Sequence, residues 1–73
     1  MKLFILNDDI NSFDYVVTTI QRYCNYPHTQ GQSIASIVHS NGQCCIKESD
    51  DEEMMVEIYD GMKSSGLKVK MEA

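Results

Sequence analysis

Three consecutive side chains with hydrogen-bond acceptors, Asn7-Asp8-Asp9, separate a short apolar run, Leu3-Phe4-Ile5-Leu6, from the longest helical pattern in the chain. Acceptors gathered at one edge suit a cation, and an amine best of all. A second group can join them. His39 lies in the last turn of a later helical stretch, and that helix returns to the level where the first strand ends. Phe13, Val16, Ala35 and Val38 fall near the same mouth and can wall an apolar hole. A small apolar pocket with an amide, carboxylates and an imidazole at its lip grips a free N-terminal amine together with its first side chain.

The magnitudes fit such a site. An α-amino group has a reference pKa of roughly 7.7–8.0, so it is mostly ammonium at neutral pH. Hydrogen bonds to a charged group are worth about 1.5–3 kcal/mol each. Burying one large apolar side chain adds roughly 1.5–3 kcal/mol. Two or three such terms, less the cost of immobilising a peptide, give binding of roughly micromolar strength.

Each residue also has a plainer use. Asn7-Asp8-Asp9 can be a loop of Asx turns. Phe13 can pack as a core staple, and His39 can serve only the helix dipole. Asp9-Ile10-Asn11 begins a calcium-loop pattern that Phe13 and Asp14 break. Asp8 and Asp9 with His39 lack the nucleophile elbow, metal set or sizeable pocket that catalysis needs. Zinc held by Cys24, His28, His39 and Cys44 lacks any Cys-x-x-Cys or His-x₃-His spacing. No catalytic residue, metal or cofactor is therefore expected, and the chain is not read as an enzyme.

The elements that must position these residues follow from periodicity. Lys2–Leu6 reads as a strand, apolar enough to expect burial on both faces and a central place. Asn11 is the expected N-cap of a first helix, whose stripe is Phe13, Val16, Val17, Ile20 and Cys24. Its β-branched pairs, Val16-Val17 and Thr18-Thr19, favour helix weakly, so packing must hold it. It ends near Asn25, since Pro27 disfavours helical geometry at Tyr26. A second helix runs from about Thr29 to Ser40 with Ile34, Ile37 and Val38 inward, and Asn41 or Gly42 stops it. Gln43–Lys47 is a second strand. Ser49 and Glu52 have capping-box spacing before a third helix reaching about Ser64, with Met55, Ile58, Tyr59 and Met62 inward. The acidic run Asp50–Glu53 is its solvated start. Gly66 ends it, and Leu67–Met71 alternates as a last strand.

The order is strand, helix, helix, strand, helix, strand. The helix pair returns the second strand antiparallel to the first, and the third helix crosses over to a last strand parallel to the second. The fold class is α/β in the α+β sense: a single domain over residues 1–73. Its three-stranded antiparallel sheet has the first strand central and three helices on one face.

Composition narrows the partners. The chain has 73 residues and a net charge of −5, from 11 acidic and 6 basic residues. A domain of this size buries only about 60% of its unfolded surface, leaving room for one shallow core and one site on its rim. Without a basic cluster, nucleic acid and anionic membrane are poor partners. No apolar run nears the roughly 20 residues that span a bilayer. Leu3–Leu6 is too short for a signal-peptide core, so the expected location is cytoplasmic, as a monomer. Three cysteines cannot all pair within the chain; two buried thiols and one half-exposed thiol are expected of Cys24, Cys44 and Cys45.

Two motifs, Leu6-Asn7-Asp8-Asp9-x-Asn11-Ser12-Phe13-Asp14-x-Val16-Val17 and Val38-His39-x-x-Gly42, are similar to those of the ClpS family. ClpS proteins are adaptors that hand N-degron substrates to Clp-type AAA+ unfoldases. The resemblance runs without a gap from about Leu3 to Cys45 and less closely to Glu72. It implies recognition of N-terminal Leu, Phe, Tyr or Trp, and delivery to a ClpA- or ClpC-like unfoldase for degradation. By position it implies that Asn7, Asp8 and His39 hold the α-amino group. Asp9 and Asn11 would line the entrance, and Phe13, Val16, Ala35, Val38 and Leu67 would wall the side-chain pocket.

The chain also departs from the family pattern. Ser12 replaces a common Pro, Phe13 a common gating Met, and Ala35 another common Met. A bulkier gate with a smaller opposite wall reshapes the pocket. The segment after Cys45 is shorter than usual, Glu52 falls near an often basic position, and no N-terminal extension is seen. The other class of function consistent with these residues is a stand-alone interaction module. It would use the acidic start of the third helix to occupy a chaperone or other partner without carrying cargo.

Overall fold

The computed structural model describes residues 1–73. The elements are β1 (Lys2–Leu6), α1 (Phe13–Cys24), α2 (His28–Asn41), β2 (Gln43–Glu48), α3 (Glu52–Ser64) and β3 (Lys68–Glu72). The sheet order is β2-β1-β3, with β1 antiparallel to both neighbours. The expected class, element order and central first strand are all observed.

One hydrophobic core joins the sheet to the helices. Leu3 and Ile5 of β1 meet Ile20 of α1, Ile34 and Val38 of α2, Ile46 of β2, Met55, Ile58 and Met62 of α3, and Leu67. The expectation that β1 is buried on both faces is corrected. Leu3 and Ile5 are buried, but Phe4 and Leu6 are only half-buried. The helices cover one face alone. On the other, Phe4 is shielded in part by the Lys70 ammonium, 4.9 Å from its ring centre.

The α1 helix is held by packing, as its weak propensity requires. Val17, Thr19 and Ile20 are buried. Gly31 lets α2 approach α1, for a Cβ there would stand 3.2 Å from Val17 Cγ1. Its N-cap is Ser12, which accepts from the Tyr15 N–H at 3.1 Å, and not Asn11. Asn25, at φ 57°, takes the left-handed conformation that ends α1.

In α2 the buried apolar residues are Ile34, Ala35 and Val38, while Ile37 is exposed. The expected inward Ile37 is thus replaced by Ala35. Gly42, at φ 89°, supplies the left-handed stop. The expected capping box of α3 is also corrected. Asp51 is the N-cap, accepting from Met54 N–H at 3.1 Å, while Ser49 Oγ accepts from Asp51 N–H at 3.0 Å. The thiols are more open than expected: Cys24 and Cys44 are half-buried and Cys45 is exposed. No helix is long and apolar enough to cross a membrane.

Candidate functional site

The site begins where β1 runs out. Asn7 donates its N–H to the Gly42 carbonyl at 2.8 Å. That bond ties the end of β1 to the C-terminal stop of α2, three residues past His39. Two distant stretches of sequence are thereby fixed at one edge.

The loop after Asn7 folds around Asp8. One carboxylate oxygen, Oδ1, accepts from the Ile10 and Asn11 N–H groups, both at 2.8 Å. The other, Oδ2, accepts from the Asn11 side-chain amide at 3.0 Å. The same Asn11 nitrogen donates to the Gly66 carbonyl at 2.9 Å. Its two protons are then both engaged, so its side-chain oxygen remains as an acceptor.

Partial burial alone raises the Asp8 pKa. The hydrogen bonds from Asn11 and Ile10, helped by the Lys68 charge, outweigh it and hold the carboxyl below its ordinary range. Asp8 is therefore a fixed anion at neutral pH. Asn7, Asp9 and His39 are solvent-exposed beside it.

Below this lip lies an apolar recess of about 70 Å³. One water needs only about 10–15 Å³, so a side chain of several heavy atoms can enter. The recess is lined by Phe13 and Val16 of α1, Ala35 and Val38 of α2, and Leu67, with Asn7, Asp8, Asn11 and His39 at its polar side. Asp9 joins Asn7, Asp8, Asn11, Phe13 and His39 around the wider mouth above it. Each candidate residue named from the sequence thus lies at this one place. Ile5 and Leu6 also line the recess and were not anticipated. Their place in a near-continuous apolar strand pointed to the core and gave no signal of a ligand. Phe13 is 44% exposed, so it stands at the opening and is not a buried staple.

The chemistry on offer is recognition. The thiols of Cys24 and Cys44 are pushed up by burial, against which a Lys47 charge works at Cys24 and to which the neighbouring Cys45 adds at Cys44. They stay protonated and poorly nucleophilic at neutral pH. No three His, Cys, Asp or Glu side chains are gathered to hold a metal ion.

The family model described as ATP-dependent Clp protease adaptor protein ClpS matches residues 1–70. The chain belongs to the ClpS family. As a ClpS-family protein it is a non-catalytic adaptor of the Clp degradation machinery, and its general partner is a Clp-type AAA+ protein. No curated protein sequence matches it. Among solved structures it is similar to Agrobacterium tumefaciens ClpS2 bound to L-phenylalaninamide. The identity is 20%, the TM-score 0.72, and the alignment covers 97% of this chain and 94% of that one. At that identity the likeness establishes a shared fold.

Proposed function

We propose that this ClpS-family adaptor captures proteins through a free N-terminal amine and an apolar first side chain, Leu, Phe, Tyr or Trp, and delivers them to a ClpA- or ClpC-like unfoldase. Asn7, Asp8 and His39 hold the ammonium. Asp9 and Asn11 meet the first peptide unit, and Phe13, Val16, Ala35, Val38 and Leu67 receive the side chain. The observation that carries this reading is an open apolar recess with a fixed carboxylate, an amide and an imidazole on its lip. L-phenylalaninamide, held by the Agrobacterium ClpS2, has the two features this site suits: a free α-amine and one apolar side chain.

The open recess favours cargo binding over a module that only occupies a partner. Titration of labelled protein with L-phenylalaninamide, followed by NMR, tests the assignment. Shifts concentrated at the Val16, Ala35, Val38 and Leu67 side chains and at the Asn7 and His39 amides are expected. Saturable shifts confined to another face, or none at millimolar ligand, would overturn it.

A further inference from the structure

The turn between α3 and β3 carries Leu67, one wall of the recess, and three side chains from the α1 segment hold that turn. Tyr15 donates its hydroxyl to the Ser65 carbonyl at 2.6 Å. Asn11 donates to the next carbonyl, Gly66, at 2.9 Å. Ser65 Oγ gives its single proton to the Gly61 carbonyl at 2.9 Å. Tyr23 is therefore the donor in its 3.3 Å contact with Ser65 Oγ. Gly66 sits at φ 92°, a left-handed bend that swings the chain from α3 into β3. Leu67 follows at once, 4% exposed and against the recess.

The other walls are fixed within helices, since Phe13 and Val16 belong to α1 and Ala35 and Val38 to α2. Leu67 stands in the short link before β3, and the side chains reaching its turn come from across the fold, fifty residues away in the case of Tyr15. Tyr15 is itself 43% exposed and lines neither the recess nor its mouth.

We propose that Tyr15 is a positioning residue for the side-chain recess. Its hydroxyl, through the Ser65 carbonyl, sets where Leu67 stands opposite α1, and so how large a first side chain the recess admits. This rests on the amine-capture reading above, but the positioning itself is measurable without any peptide.

Tyr15→Phe removes only the hydroxyl and leaves the ring and helix in place. Amide exchange at Gly66 and Leu67, whose N–H groups bond back to Lys63 and Met62 at 3.0 and 3.2 Å, should accelerate about tenfold while exchange in α2 is unchanged. The ratio of affinities for Phe- and Leu-initiated peptides should shift by about threefold or more, the scale of one lost hydrogen bond. The ratio of free to acetylated peptide should stay as in the wild type. In a Leu67→Ala background the same hydroxyl loss should shift the Phe-to-Leu ratio no further, because Tyr15 acts through Leu67. Should L67A fail to fold, Leu67→Val takes its place. Unchanged exchange, an unchanged Phe-to-Leu ratio, or an effect that persists without Leu67 overturns the proposal. Wild-type protein that binds neither peptide overturns the amine-capture reading itself and the recess role with it.

Discussion

Asn7 and Gly42 are joined by a 2.8 Å backbone hydrogen bond, and that bond is what makes one site out of two stretches of sequence. It brings the strand that ends in Asn7-Asp8-Asp9 to the stop of the helix that carries His39. The apolar recess opens beside them, lined by residues of β1, α1 and α2 together with Leu67.

In the proposed amine capture, Asp8 supplies the anion on which ammonium binding would depend. Asp8→Asn keeps the size of the side chain and removes the charge. Affinity for a Leu-initiated peptide should fall at least about tenfold, the low end for a hydrogen bond to a charged group. Fluorescence anisotropy with a labelled peptide checks it. The variant should also be less stable, by about 1 kcal/mol in urea unfolding, because the amides of Ile10 and Asn11 lose a charged acceptor.

The pH dependence of that stability has a definite sign. The folded-state pKa of Asp8 is depressed. Its contribution is therefore fully present above the unfolded carboxylate value of about 3.9, and is lost as pH falls through the lower folded value. The stability difference between wild type and D8N should be flat between about pH 7 and 5 and shrink below about pH 4. Urea melts at stepped pH measure it.

On the proposed role of His39 as an acceptor from the ammonium, His39→Ala should weaken binding of a free Leu-initiated peptide by about tenfold and leave the acetyl-Leu form unchanged, read by fluorescence anisotropy. An equal loss for the acetylated peptide would remove His39 from the grip.

Gly61 is a requirement of packing and not of flexibility. A Cβ there would overlap the Tyr23 ring, with Cδ1 at 2.8 Å. Gly61→Ala gains about 1 kcal/mol of helix propensity. Overpacking costs about 1–3 kcal/mol, so the net effect should be destabilising. In a Tyr23→Ala background the sign should reverse. Thermal melts of the four proteins decide between these outcomes.

The acidic start of α3, Asp50, Asp51, Glu52 and Glu53, is exposed and lies outside both the recess and its mouth. Reversing the charge of Asp50, Glu52 and Glu53 should leave peptide affinity within about twofold, as expected of distant, independent sites. If this surface meets the unfoldase, the same change should weaken binding to a ClpA- or ClpC-like partner, read by surface plasmon resonance. Loss of peptide binding in the variant would contradict the separation of the two surfaces.

Much of this geometry was legible in the chain because short-range rules govern it. The stripe of α1 and the stop at Gly42 place Phe13 and Val16 on their helix and His39 in the last turn of α2 from local rules alone. What escaped were features decided across the fold. Asn11 has an N-cap's chemistry, yet its amide is drawn to Gly66, fifty-five residues away, and Ser12 caps the helix instead. Ile37 looked inward by size, but the buried stripe of α2 runs through Ile34, Ala35 and Val38 and leaves Ile37 exposed. The apolar run of β1 suggested two covered faces, whereas Phe4 rests under a lysine on a face no helix covers. The clamp of Tyr15 on Ser65 has no local sequence signal at all.

The most direct measurement compares one peptide in two forms, starting with free Leu and with acetyl-Leu, against the wild-type protein at neutral pH. Amine capture predicts binding of roughly micromolar strength for the free form and at least about a hundredfold weaker binding for the acetylated one, since two or more charged hydrogen bonds are lost. Equal affinity for the two forms would contradict it.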